Sequence, residues 1–288
     1  MRHFRLGFLI YAVLVWTTTV VGQEASGSDP QATAILQQSL AAQTGGAPIT
    51  DVTLTGSARR IAGSDDETGT ATLKATAAGD SRVDLRFPSG NRLEIRNHAA
   101  LPLPGSLPPG VPASVAQTAQ PVGAWSGPDG VLHATAGQNL MNDATWFLPS
   151  STLGKLVSAP PQVWLLSYVG SETRDGQSVV HVSASLSVAP SSNTPPRIAS
   201  LIQHLSQMDI FLDSGTLLPV ALTFNTHPDN DALVDIPAEI HFSDYRPMSG
   251  VRVPFRVQKY LNNGLVLDLQ FANVSVNSGL SAAAFDIQ

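Results

Sequence analysis

Chemistry in this chain would have to come from histidines, carboxylates and arginines, because it contains no cysteine. That excludes thiol catalysis and thiolate metal sites. Beyond the first residues the histidines are His98, His133, His181, His204, His227 and His241. None has a second histidine within five positions, so no helix or strand offers a local pair of imidazole ligands. His204 sits beside Leu205 at the border of an apolar helical stripe. The run His227-Pro-Asp-Asn-Asp231 spaces its oxygens loosely as a calcium loop does, but it lacks the turn glycine and closing glutamate and reads as a surface loop. Asp65-Asp66-Glu67 falls at a hairpin tip, where turn acids are solvated. Gly123-Ala-Trp-Ser-Gly127 has the wrong spacing for a nucleophile elbow. No zinc-protease helix, phosphate loop or dinucleotide glycine pattern appears. The expectation is no catalytic residue, no metal site and no cofactor.

The densest charge array is Arg82, Asp84, Arg86, Arg92, Glu94 and Arg96. A three-residue loop Pro88-Ser89-Gly90 would pair Leu85 with Leu93 and Val83 with Ile95, putting all six charges on the other face of one hairpin. Four arginines on one face could meet an anionic head group. The pattern favours the plainer reading, a solvated outer face with unlike charges on its diagonals.

These side chains hang on a chain written mostly in strands. Ile236, Ala238, Ile240 and Phe242 alternate with Glu239, His241 and Ser243. Val251, Val253, Phe255 and Val257 alternate with Arg252, Arg256 and Gln258, and Leu265, Leu267, Leu269 and Phe271 continue the period. A period of two means one buried and one wet face, so this block is an antiparallel meander whose apolar side needs a cover. Upstream, Asp29-Pro30 signals a helix start and Gly45-Gly46 its stop. Four strands are expected at 51–58, 69–77, 81–87 and 92–97. The segment 101–121 carries six prolines and reads as a loop or edge excursion. Residues 136–157 read as mainly helical with a break at Pro149. A hairpin at 163–170 and 178–188 turns at Arg174-Asp-Gly176. Its first strand is apolar on both faces, which predicts a central position. After Pro195-Pro196, the stripe Ile198, Leu201, Ile202, Leu205 and Met208 gives the strongest amphipathic helix. A further hairpin, 209–213 and 217–225, leads into the meander. No repeat or domain boundary is evident. The fold class expected is α+β, one curved antiparallel sheet, mostly a meander, with about three helices on its concave face.

Arg2 and Arg5 precede a short apolar run from Leu6 to Trp16, and Val20-Val-Gly22 precedes a plausible cleavage point. Residues 1–22 therefore read as a secretory signal peptide. The threonines at 17–19 interrupt the run short of the roughly 20 apolar residues of a membrane span. Residues 23–288 are then a single domain with no stable membrane span. A chain without disulfides fits the bacterial periplasm or secretion into a bacterial exterior. Its formal charge of −6 becomes more negative without Arg2 and Arg5, which argues against a nucleic-acid partner.

One group of motifs goes further: Asp213-Ser-Gly-Thr-Leu-Leu-Pro219, Ile240-His-Phe-Ser-Asp-Tyr-Arg246, Gly250-Val-Arg-Val-Pro254, Asn263-Gly264, Val276-Asn277 and the closing Phe285-Asp-Ile287. With the element order, these resemble the bacterial periplasmic family that shares the fold of the outer-membrane lipoprotein carrier, the LolA-like proteins. The resemblance implies a half-open β-barrel wrapped around helices, with an apolar cavity between them. Such a cavity is expected between Leu201 and Leu205 of the amphipathic helix and Val253, Phe255, Val257, Leu265, Leu267, Leu269 and Phe271 of the sheet. Its ligand would be a lipid, an acyl chain or a lipoprotein of the cell envelope. The alternatives are a non-catalytic interaction module with a filled core and an envelope protein partner, and a secreted hydrolase whose site is assembled from distant residues.

Overall fold

The computed structural model describes residues 27–99, 120–160, 162–188 and 194–287. The expected signal peptide, and all but the last two residues of the proline-rich segment 101–121, lie outside the described residues.

Helix α1 (Pro30–Thr44) begins where Asp29 accepts a hydrogen bond from the Gln31 amide at 2.8 Å, and it ends at Gly45 in a left-handed conformation. Six strands follow: β1 (Asp51–Ala62), β2 (Asp65–Thr76), β3 (Ser81–Phe87), β4 (Gly90–Ala99), β5 (Gln120–Ser126) and β6 (Leu132–Ala134). A 3-10 turn (Gly137–Met141) and α2 (Pro149–Ser158) come next. Pro149 opens α2, where the missing amide costs nothing. The remainder is β7 (Trp164–Arg174), β8 (Gln177–Leu186), α3 (Pro196–Leu205), β9 (Met208–Asp213), β10 (Pro219–Thr226), β11 (Ile236–Met248), β12 (Val251–Leu261), β13 (Gly264–Val276) and a short 3-10 turn (Ala282–Phe285).

The thirteen strands of the described residues form one antiparallel sheet in the order β6-β5-β4-β3-β2-β1-β13-β12-β11-β10-β9-β8-β7. Two meanders are thus joined where β1 pairs with β13. Bulges in the β1–β13, β12–β13, β9–β10 and β7–β8 ladders bend and twist the sheet into an open, curved trough. It is α+β and open, with β6 and β7 at its two edges, rather than a closed barrel. The trough is filled by α1 and α2, which pack on each other, with α1 also against β12 and β7; α3 lies against β8 and the first 3-10 turn. One continuous core runs from Leu36 through Phe147, Leu148, Leu153 and Leu156 to Leu54, Leu73, Ile240, Val253, Val257 and Leu269.

Three sequence expectations are corrected here. The strand β7 is an edge and not central. Its second apolar face is left partly in solvent, with Val163 and Val169 exposed. The free backbone edge is met instead by the chain just before α1. Ser28 Oγ donates to the Trp164 carbonyl and accepts from the Leu166 amide, and the Asp29 amide donates to the Leu166 carbonyl at 2.8 Å. An edge covered in this way is not a template for a foreign strand.

The β3–β4 hairpin turns over two residues, not three, so Val83 stands opposite Glu94 and Leu85 opposite Arg92. The tip is held down by Glu67, which accepts from the Ser89 amide and hydroxyl, while Pro128 packs so close to Gly90 that any Cβ there would sit 2.7 Å from it. A one-residue change of register reverses the faces of a whole strand. Arg82, Asp84 and Arg86 stay outside, whereas Arg92, Glu94 and Arg96 turn inward with Val83 and Leu85. Ile95, now on the convex side, is buried where the C-terminal 3-10 turn packs on β3 and β4, and Asn97 Nδ2 donates to the Phe285 carbonyl at 2.8 Å.

The third correction concerns Leu265. A bulge at Val266 pairs Tyr260 with Leu265 and Lys259 with Leu267. The Tyr260 and His241 rings meet at a centroid distance of 4.8 Å on the convex face, so Leu265 belongs to that face and Val266 takes its place inside.

Candidate functional site

The inward-facing half of β12 and β13 divides into two parts. Val253, Phe255, Val257, Leu269 and Phe271 are buried in the packed core beneath the helices. Leu267 alone of the expected sheet residues borders an open cavity. Leu205 is buried on α3 and Leu201 partly so, but α3 lies over β8 and the first 3-10 turn, and neither leucine lines the cavities described next. The structure therefore does not bring Leu201, Leu205 and Leu265 together with the other expected residues.

Two apolar cavities flank the packed middle of the trough. The first, about 460 Å³, opens between the C-terminal parts of α1 and α2 and the end of β2, against Leu40, Pro48, Ile49, Ala75, Leu148 and Val157. Among the described residues no charged side chain lines it. The second, about 420 Å³, lies at the opposite end of β2 and is walled by Val83, Leu85, Leu261, Val266, Leu267 and Trp146, with charged residues at its margin.

Those charges and their partners come from four strands, β1, β2, β4 and β12. Arg60 and Arg92 share the Glu67 carboxylate at 3.2 and 3.5 Å, and Arg96 pairs with Glu94 at 3.2 Å. Lys259 faces inward from β12 because odd-numbered residues of that strand do so, and its ammonium lies 4.7 Å from the centroid of the Trp146 ring. No ion pair to Lys259 occurs among the described residues. Burial lowers the pKa of its ammonium; Glu94 works against that shift and Arg96 adds to it. Around this cavity four cations, Arg60, Arg92, Arg96 and Lys259, thus stand against two carboxylates, Glu67 and Glu94, in a chain whose formal charge is −6.

A third cavity, about 260 Å³ and polar, shares Glu94, Trp125, Trp146 and Lys259 with the second. Its remaining walls include Arg96, Thr135, Asn139, Asn142 and His227. Here the first 3-10 turn ties the two meanders together. The Asn139 side chain donates to the His227 carbonyl at 2.8 Å and accepts from the His227 amide at 2.9 Å, while Arg96 donates to the Asn139 carbonyl. The second and third cavities together form an amphipathic chamber divided by Lys259 and Trp146.

Solved structures with similar architecture come from bacterial proteins. A putative outer membrane lipoprotein-sorting protein domain from Vibrio parahaemolyticus superimposes with a TM-score of 0.50 at 12% identity, over 88% of this chain and 95% of that one. The fold is LolA-like. A DUF1329 family protein from Desulfovibrio piger matches equally, with a TM-score of 0.50, 13% identity, 90% of this chain and 98% of that chain. A LolA superfamily protein from Nitrosomonas europaea aligns over 89% of this chain and 97% of that chain at 11% identity, with a TM-score of 0.46. At this identity the likeness is one of fold. No family model and no curated protein matches the sequence.

Sequence reasoning missed Lys259, Trp125, Trp146 and the Arg92–Glu94–Arg96 strip as cavity residues. Lys259 was legible: it extends the inward period of Val253, Phe255 and Val257, so a lysine there is a charge on a buried face. The strip was not, because its face depends on one residue of turn length. Among the described residues no cluster of three or more histidine, aspartate or glutamate side chains could hold a metal ion, and no helix is long and apolar enough to cross a membrane.

Proposed function

We propose that this chain is an exported bacterial envelope protein that binds an apolar ligand, a lipid or acyl chain, in the cavity walled by β3, β12, β13 and Trp146. The observation that carries this reading is a cavity of about 420 Å³ with largely apolar walls, opening on the concave face of a LolA-like sheet. Its size lies within the range of small-molecule sites. The larger cavity between α1 and α2 offers only neutral polar groups, such as Gln37, Thr44 and Ser150, to orient a ligand. Burying a twelve-carbon chain contributes about 9 kcal/mol at ~0.8 kcal/mol per methylene. Association costs at least about 4 kcal/mol, so tail burial alone retains a ligand only weakly and a head-group contact sets the affinity.

The test is native mass spectrometry and lipid extraction of the protein purified from its own compartment. The expected result is a bound acyl-chain species. Leu267→Trp fills the cavity without adding charge and should remove that species while the protein stays folded. Gly154→Leu is the control, since Gly154 lines the cavity between the helices and a Cβ there meets nothing within 4 Å. Retention in Leu267→Trp with loss in Gly154→Leu would move the site to the helical cavity. A wild-type protein that extracts clean and takes up no added acyl ligand would favour an interaction module instead.

A further inference from the structure

The amphipathic chamber says which end of a ligand goes where. We infer that the ligand is an anionic amphiphile, held with its acyl chain in the apolar cavity beside Leu267 and its acidic head group at Lys259, facing the polar cavity. This rests on the proposed cavity reading and adds the chemistry of the head group.

Three independent observations converge on it. The first is charge pairing. Around the chamber Glu94 is taken by Arg96, Glu67 by Arg60 and Arg92, and the buried Asp143 by Lys155 at 2.8 Å. Asp229, on the loop after β10, is the remaining carboxylate on the wall and is exposed. Lys259 is left as a cation whose near neighbour is the face of an indole, so a monoanion would complete its surroundings.

The second is a cluster of buried polar atoms without hydrogen-bond partners in the protein. Asn142 Oδ1 and Nδ2, Thr135 Oγ1, Trp146 Nε1 and His227 Nε2 all belong to residues of the polar cavity. Buried polar atoms are normally paired. These five, in four residues around one space, have essentially no accessible surface, so a head group would reach them through side-chain rotation.

The third is position. Lys259, Trp146, Trp125 and Glu94 line both cavities, with Glu94 paired to Arg96, so an ammonium and an aromatic plane stand where the apolar wall gives way to the polar one. A ligand threaded past them places methylenes against Val83, Leu85 and Leu267 and its head group beyond. A charge-assisted hydrogen bond from Lys259 would then fix the orientation.

The experiment measures binding of dodecanoate, dodecyl phosphate and dodecanol to the delipidated full chain by calorimetry below their aggregation concentrations. The expected result is that at least one anion binds ten-fold or more tightly than dodecanol; which anion wins separates a carboxylate head group from a phosphate. Lys259→Met should abolish that preference, read as the ratio of anion to dodecanol affinity within the variant. Lys259→Arg, which keeps the charge, should preserve it, and thermal melts check that both variants are folded. Equal binding of dodecanol and the anions to the wild type, or a preference that survives Lys259→Met, overturns the head-group assignment and leaves the apolar site standing. Failure of all three probes overturns both.

Discussion

The Asp143 carboxylate receives the Lys155 ammonium at 2.8 Å, and no part of its side chain reaches solvent. Thr152 Oγ1 and the Thr145 amide and hydroxyl donate to it as well, so this acid organises the entry into α2. Burial by itself would raise its pKa; Lys155, Thr152 and the Thr145 amide more than offset that and hold it below the usual value. Lys155→Met removes the offset, so the carboxyl of the folded variant should titrate above its unfolded value. Stability in that variant is retained below the unfolded pKa and lost as pH rises through the folded one. The expected cost is about 3 kcal/mol at neutral pH, and the gap in urea midpoint from wild type should be wider at pH 8 than at pH 5. A gap independent of pH would refute the account.

Glu239 behaves in the opposite sense. The His241 ring hydrogen-bonds its carboxylate, and the Arg174 guanidinium approaches to 2.6 Å, lowering its pKa from 4.5 to about 2 despite partial burial. Its contribution is present above the unfolded value and disappears as pH falls through the folded one. After discounting for solvent screening, that contribution is about 1–2 kcal/mol. Glu239→Gln should lower stability by that amount at pH 7 and flatten the melting curve between pH 4.5 and pH 2.5, read by thermal denaturation.

The bulge at Val266 makes a sharp contrast between neighbours of like type. Leu265→Asp places a charge on the convex face beside Tyr260 and should cost no more than about 1 kcal/mol. Leu269→Asp buries a charge in the packed core and should prevent folding. Comparable loss of soluble protein from both variants would contradict the register.

Asp29 serves two elements at once, capping α1 and accepting from the Tyr168 amide of the edge strand β7 at 3.3 Å. Asp29→Ala should cost about 1–2 kcal/mol through the lost cap. It should also raise self-association, measured by light scattering, because β7 gains a free donor at its edge.

Much of the fold was legible because period and caps agree with tertiary structure. The residues of 236–242 and 251–257 face as their alternation dictates, and Asp29-Pro30 and Gly45 bound α1 as their backbone preferences require. What escaped depends on choices made between strands. Turn length at Pro88-Ser89 decides whether Arg92, Glu94 and Arg96 point out or in, and hydrophobic alternation in 92–97 is compatible with either because the C-terminal turn buries the convex side. The bulge at Val266 leaves no composition signal in a run of alternating leucines. The edge position of β7 was hidden because exposed Val163 and Val169 look like core residues on paper. The helix α3 is strongly amphipathic but ends at Leu205, with Met208 already the first residue of β9, and amphipathicity does not say which face of the molecule a helix will cover.

The seam between β1 and β13 also sets an order of assembly. Each meander is built from hairpins between sequence neighbours, which form early, but the seam joins segments such as Thr50 and Asn277, 227 positions apart and hydrogen-bonded at 2.7 Å. Closing so long a loop is slow relative to forming a local turn. A chain delivered from its N-terminus therefore holds β1, near the centre of the finished sheet, as an open edge until its last strand arrives. The interval before β13 docks is when β1 stands open to pairing with a wrong strand.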